Sequence, residues 1–247
     1  MKKYYIQLFS VKTNLEKDFD GTLKALSEMG YDGVQFYGNY GGYTGEELRE
    51  KLDYYGLSAD TVHLSLDDIQ NNFEYHKDIL KAIGCKSIIC AFTDPKTVSD
   101  AERIGNELLE AATKVLAYGF EFGYHNHAQE FKKDDNDNYF LDIMLEIGDP
   151  LVLAELDLGW VAYAGENAEA YIRKYAGRVT YLHFKQFREI DGELKTCTFE
   201  NGIVDIEKCV KTAEIMGCEY YIVEQDNPLD DELTDAKQNL EFIKSIG

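Results

Sequence analysis

The stretch GYHNHAQEF, residues 123–131, sets His125 and His127 one residue apart, with Glu130 three residues after the second histidine. Imidazoles so placed can ligate a metal or move a proton; the plain alternative is a polar strand end that has found hydrogen bonds. Further groups of this kind recur downstream. Glu155 and Asp157 alternate in AELDLGW, His183 and Lys185 in YLHFKQF, and Glu224 and Asp226 in YIVEQD. Carboxylates combined with imidazoles suit Mn²⁺, Co²⁺, Mg²⁺ or Zn²⁺, and the absence of cysteine from these stretches weighs against a structural zinc. Such an ion would polarise a carbonyl or hydroxyl and stabilise a developing enediolate. A second carboxylate or imidazole could then move a proton.

These groups act together only if the elements carrying them converge. Strand-like and helix-like segments alternate along the whole chain. The strands are expected at 4–9, 33–38, 58–65, 87–92, 120–127, 151–159, 179–187 and 220–226. Between them lie segments with apolar residues at helical spacing, many stopped by glycine: 14–30, closed by Gly30, and 68–84, closed by Gly84, are two. Strict alternation means parallel strands with crossover helices. Eight units in 247 residues predict a (β/α)₈ TIM barrel, a single domain over 1–247, with an open doubly wound sheet as the competing fold. The Gly-rich loop NYGGYTG (39–45) lacks the GxGxxG spacing of a dinucleotide site.

Alternate strand residues face opposite sides. Phe120, Phe122 and Tyr124 should pack outward on helices, and His125 and His127 should point into the barrel. The same parity sends Glu155, Asp157, His183, Lys185, Glu224, Asp226 and His63 inward. Asn126 should point away from the pocket. Barrel active sites form at the C-terminal strand ends, so one converging ring of ionisable groups is expected there. A closed salt-bridge network is the alternative. Tyr5, Gln7 and Phe9 either line the pocket floor or pack in the core. His63 is either a substrate contact or a satisfied interior residue. His76, among Glu74, Lys77 and Asp78, should be solvated.

Composition narrows the partners. The formal net charge is −21, from 46 acidic and 25 basic residues. Nucleic-acid binding needs Lys and Arg to displace counterions, and an anionic membrane surface asks for the same; neither partner is expected. The five cysteines show no CxxC spacing, MKKYYIQLFS has no apolar signal region, and no apolar run approaches membrane-spanning length. Reduced thiols and a cytoplasmic location fit this pattern.

The order YHNHAQEF, AELDLGW, YLHFKQF, YIVEQD, each at a strand end, resembles the sugar phosphate isomerase/epimerase superfamily, the xylose-isomerase-like TIM barrels. The resemblance spans nearly the whole chain and implies a divalent metal, a small carbohydrate substrate and, as in many members, a homo-oligomer. It implies metal ligands at Asp157, His183 and Glu224. The fourth, a strand-five glutamate in much of the family, falls on His125, as in the YHxH variant of inosose-dehydratase-like members. His127 then becomes a substrate or acid–base group. Ketose epimerases of the family use paired glutamates on strands five and eight; here Glu224 lacks that partner, and Glu155 or Glu130 are the carboxylates left to supply it. Lys185 would polarise a substrate oxygen, or else pair with Glu224 or Asp157; Gln186 replaces an acid the family often carries. Glu155 could also hold His183 or Lys185. Trp160 could wall a sugar ring, or simply pack its loop. The leading expectation is a metal-dependent sugar isomerase or epimerase working through an enediolate. The alternative is a metal-dependent lyase or dehydratase acting on a keto-inositol or a 3-keto-glycoside.

Overall fold

The computed structural model describes residues 2–228 and 231–247. Eight parallel strands form the barrel wall: β1 (Lys3–Gln7), β2 (Gly33–Gln35), β3 (Thr61–Leu64), β4 (Ser87–Cys90), β5 (Glu121–His125), β6 (Val152–Asp157), β7 (Tyr181–Phe184) and, after a hairpin of β8 (Gln186–Ile190) and β9 (Glu193–Cys197), β10 (Tyr220–Val223). The sheet runs β2-β1-β10-β7-β6-β5-β4-β3. It closes through the bridges Gly33↔Ser58 and Phe36↔Val62. This is the expected (β/α)₈ barrel.

The helices are α1 (Lys12–Lys17), α2 (Phe19–Met29), α3 (Gly45–Tyr55), α4 (Leu66–Asn71), α5 (Phe73–Ile83), α6 (Val98–Leu116), α7 (Phe140–Ile147), α8 (Leu158–Tyr163), α9 (Ala168–Lys174), α10 (Ile206–Met216) and α11 (Glu232–Ile246). Capping boxes start α3 at Thr44/Glu47 and α6 at Thr97/Asp100. Left-handed glycines end α2, α3, α5 and α10. The outward strand residues and the apolar helix faces form one continuous core, while Tyr5, Ile89, Tyr181, Tyr220 and Ile222 form a separate buried cluster. None of the described helices is long and apolar enough to cross a membrane.

Four expectations are corrected. The segment 179–187 is not one strand: β7 ends at Phe184, and Gln186 opens the antiparallel hairpin, which turns at Asp191–Gly192 with positive φ at both residues (56° and 80°). The helix expected at 14–30 breaks at Asp18, whose carboxylate accepts from the Gly21 N–H and caps α2. The helix expected at 68–84 breaks at Asn72. His76 is not solvated. It lies on the apolar face of α5 with Phe73, Ile79 and Leu80, its Nδ1 2.9 Å from the Tyr40 hydroxyl and its Nε2 3.6 Å from Asp68.

Candidate metal and proton-transfer site

The inward side chains stack in layers. Tyr5 and Tyr181 lie in the N-terminal half of the barrel. In the next layer Gln35 Nε2 donates to Glu155 Oε1 at 2.7 Å, and its Oε1 accepts from Gln7 Nε2 at 2.6 Å. Glu155 Oε2 pairs with His63 Nε2, with His125 Nδ1 at 3.2 Å and with His183 Nε2 at 3.0 Å. At the C-terminal rim Lys185 Nζ sits 3.0 Å from Asp157 Oδ2, 3.3 Å from Glu224 Oε2 and 2.9 Å from Asp226 Oδ2. His183 Nδ1 lies 2.7 Å from Glu224 Oε2. Above this layer opens a cavity of about 360 Å³, lined in part by Gln7, His63, His125, His127, Glu224 and Asp226.

Local structure explains the placement. Asp157 ends β6 and caps α8, its Oδ1 accepting from the Trp160 N–H at 2.9 Å. Gly159 is required by close approach: a Cβ there would stand 2.8 Å from Lys185 Cβ and 2.9 Å from its carbonyl oxygen. The DLGW run therefore fixes both a carboxylate and the backbone of the lysine that it faces. Asn126 turns to the Asp157 backbone, accepting from its N–H at 3.0 Å, and so ties the end of β5 to the end of β6. Gln186 is buried in pairing with the Val204 backbone, donating to its carbonyl and accepting from its N–H, both at 2.9 Å. An acid at this position could not make the donating half of that pair.

His125, Asp157, His183 and Glu224 offer donor atoms all within 4.8 Å of one another, every residue buried. His63, His125, Glu155 and His183 form a second such group. Two members of each group line the cavity; the first suits an ion better on position, because Glu155 of the second lies a layer below and is committed to Gln35 and three imidazoles. It also suits one on chemistry. His125 Nδ1 faces Glu155, which leaves Nε2, 3.7 Å from Asp157 Oδ2, for coordination; a carboxylate behind a ligating imidazole is the usual support. Asp157 Oδ2 and His183 Nε2 are buried with no well-directed hydrogen bond, although each lies in ion-pair range of an opposite charge.

The electrostatics point the same way. Glu155, Asp157, Glu224 and Asp226 face one lysine and the His183 imidazole. Burial pushes the Asp157 carboxyl up to about 6, with Lys185 only partly offsetting it. Burial likewise raises Asp226. Burial opposes charge on Glu224, but Lys185 and His183 outweigh it and hold Glu224 well below the usual carboxylate range. Burial opposes charge on His183 too; Glu155 and Glu224 prevail and lift it to about 10. His125 is pushed well down by burial and by charge on His183. Burial and Lys185 take His127 down to about 3. Acidic groups outnumber cations, two imidazoles stay neutral, and a divalent ion would relieve the excess.

The remaining residues divide. His63 and His127 line the cavity, His127 with its Nδ1 buried and unpaired among the described residues. Glu155 lies one layer below and is committed to three imidazoles. It reaches His183, as one expectation had it, and shows no contact with Lys185 among the described residues. Trp160 does not line this cavity. Its ring centroid is 5.5 Å from that of His127, and it walls a neighbouring cavity instead. Glu130 does not reach the cavity either. The chain turns at Gln129–Phe131, so the carboxylate accepts from the His127 N–H at 2.9 Å and from the Tyr124 hydroxyl. Burial raises Glu130 to about 7. Of the strand-one residues, Gln7 and Phe9 line the cavity, and Tyr5 lies below it. Tyr37, Asp68 and Phe92 also line it, beyond the residues that strand parity marks. Their only sequence signal is position just after strands two, three and four.

Fold and site together define a barrel enzyme class built around a carboxylate–imidazole centre. The chain belongs to the xylose isomerase-like TIM barrel family, whose model matches residues 23–246. Among curated proteins it is similar to the inosose dehydratase of Geobacillus kaustophilus, 26% identical over 195 residues, covering 68% of this chain and 62% of that protein. The match thus spans less than two thirds of that relative's length. Among solved structures it is similar to a sugar phosphate isomerase/epimerase from Parabacteroides distasonis (TM-score 0.83, 22% identity, 98% of this chain and 97% of that one). It is also similar to the probable 3-DHS dehydratase of Bacillus anthracis (TM-score 0.77, 13% identity, 97% and 98%). At these identities the structural matches carry the fold alone.

Proposed function

We propose that this protein is a divalent-metal-dependent lyase acting on a carbohydrate-derived ketone: it removes a proton beside the carbonyl and expels a neighbouring hydroxyl as water. The single observation that carries this choice is the position of Glu155. An epimerase working through an enediolate needs proton-moving groups on both faces of one carbon. Glu224 is one candidate, and Glu155, the carboxylate that could answer it, is locked beneath the site among His63, His125 and His183. Elimination needs only one relay. The relatives named inosose dehydratase agree with this preference.

His125, Asp157, His183 and Glu224 would hold the ion, which when bound supplies Lewis-acid polarisation of the substrate carbonyl. Lys185 is buried and does not line the cavity; its Nζ, held by Asp157, Glu224 and Asp226, positions those carboxylates. His127, which lines the cavity, accepts the α-proton. As the carbon–carbon double bond forms and the carbon–oxygen bond breaks, it returns that proton to the departing hydroxyl. His63 contacts the substrate from the β3 side.

Protein loaded with Mn²⁺ or Co²⁺ and offered a keto-inositol and a 3-keto-glucoside in D₂O tests this. The expected result is a rising conjugated-enone absorbance with no epimer. An epimer carrying solvent deuterium, without that absorbance, would establish the isomerase or epimerase reading instead. Failure to retain any divalent ion sinks both.

A further inference from the structure

Beside the reaction cavity lies a second one, of about 470 Å³, between α8 and the β8–β9 hairpin. Trp160, Tyr163, Phe187 and Leu194 supply its apolar walls, and Asp226 lines both cavities. The three rings pack on one another at centroid distances of 4.8–5.2 Å. Tyr163 and Leu194 nevertheless keep 42% and 37% of their surface exposed. The hairpin that forms one side is an insertion between β7 and α10, where a barrel unit needs only a short loop.

We propose that this aromatic cleft binds a flat apolar ring carried as a substituent on the substrate, so that the substrate is a carbohydrate bearing an aryl group. The inference rests on the carbohydrate reading above. The reaction cavity alone has room for one small polar ring. The adjoining cleft shares the Asp226 wall with it, and aromatic side chains favour stacking with another ring. A second sugar would ask the cleft for hydroxyl partners, for which its lining offers Lys195 and Asn227 beside Asp226, the last already held by Lys185. Its one threonine, Thr196, is already spent: its hydroxyl donates to the Asn227 carbonyl at 3.0 Å and accepts from the Asn227 N–H at 3.3 Å. An aryl group makes no such demand.

Trp160 is the only tryptophan in the chain, so intrinsic emission reports this cleft directly. The Mn²⁺-loaded protein is titrated with phenyl β-glucoside, methyl β-glucoside, cellobiose and phenol. Phenyl glucoside should shift Trp160 emission and bind roughly tenfold tighter than methyl glucoside, the size of one aromatic stacking contact plus buried area. Leu194→Gln and, separately, Tyr163→Ala should abolish that preference while methyl glucoside and Mn²⁺ affinities stay unchanged; two variants on different elements guard against one that fails to fold. If phenol alone shifts the emission, dependent on Leu194, while no glycoside binds, the cleft stands and the carbohydrate reading falls. Equal affinity for the phenyl and methyl glucosides, tighter binding of cellobiose than of phenyl glucoside, or no emission change with any of the four overturns the proposal.

Discussion

The two ends of this barrel both bury polar and charged side chains, and they handle them in opposite ways. At the N-terminal end Asp60 takes the Tyr5 hydroxyl and the Lys86 ammonium. Lys3 donates to the Tyr220 hydroxyl at 3.0 Å, and Ser87 lies 3.0 Å from the Tyr181 hydroxyl while donating to Glu121 at 2.8 Å. Each of these groups has a partner, and the lysines reach solvent. At the C-terminal end Asp157, Glu224 and Asp226 converge on one lysine, with the His183 imidazole beside Glu224, and buried atoms of Asp157, His183 and His127 lack directed hydrogen bonds. Burial is common to both ends. What separates a structural cluster from a binding site is the imbalance, which persists only where something else completes it.

The strongest way to break that contrast is to remove surplus charge at the mouth. Asp157→Asn keeps the oxygen that caps α8 and deletes one negative ligand. Metal affinity should fall more than about 100-fold, beyond the 10–100-fold typical of outer supporting partners, and activity should fall with it. The metal-free protein should lose little stability, because the removed charge was not fully balanced. Metal titration by calorimetry and denaturant unfolding measure the two halves. Unchanged affinity would place the ion elsewhere.

A second test asks whether burial alone, without imbalance, shows at the mouth. Glu130 is buried and hydrogen-bonded, yet its carboxyl is raised from the usual 4.5 to about 7. Between those values the folded state binds the extra proton, so stability is full below about pH 4.5 and falls as pH rises toward 7. The loss should approach about 3 kcal/mol. Glu130→Gln should flatten that slope in unfolding curves collected from pH 4 to 8.

Gly159→Ala probes how tightly the mouth is built. The new methyl must displace Lys185 or shift α8, at about 1–3 kcal/mol, and kcat should fall because the lysine moves. Full activity with unchanged stability would show that the two segments can separate without cost.

Much of this contrast is legible in the chain itself. Period-two alternation marks His125, Asp157, His183 and Glu224 as inward, since strand parity is fixed by backbone geometry. Parity does not report height, so Glu155 reads as a mouth residue although it lies one layer down. Nor does it follow a chain once a strand ends: Glu130 and Trp160 lie past β5 and β6, and turns there decide where they point. The hairpin is hidden in the chain because QFREI continues the pattern of β7. Asp191–Gly192 between two alternating runs was the available signal. The charged neighbours of His76 point it to solvent, whereas its spacing from Phe73 and Ile79 puts it on the buried face of α5. Asp60 and Tyr5 meet only in three dimensions, 55 residues apart.

That last pair gives the smallest test and the clearest sign. Burial would raise the Asp60 carboxyl, but Lys86 and the Tyr5 hydroxyl outweigh it and hold the group below its ordinary 3.8. A depressed carboxylate contributes stability above its unfolded value and loses it as pH falls through the folded one. The window therefore lies below about pH 4, and the slope is opposite to that of Glu130. Asp60→Asn keeps an acceptor for Tyr5 and removes the charge facing Lys86, which is itself more than half exposed. Solvent screening limits the loss at neutral pH to about 1 kcal/mol. Metal affinity and activity should not change, because this end of the barrel is complete without a ligand. A loss of metal binding in Asp60→Asn would mean that the two ends are coupled through the barrel interior, and the division between a balanced floor and an unbalanced mouth would fail.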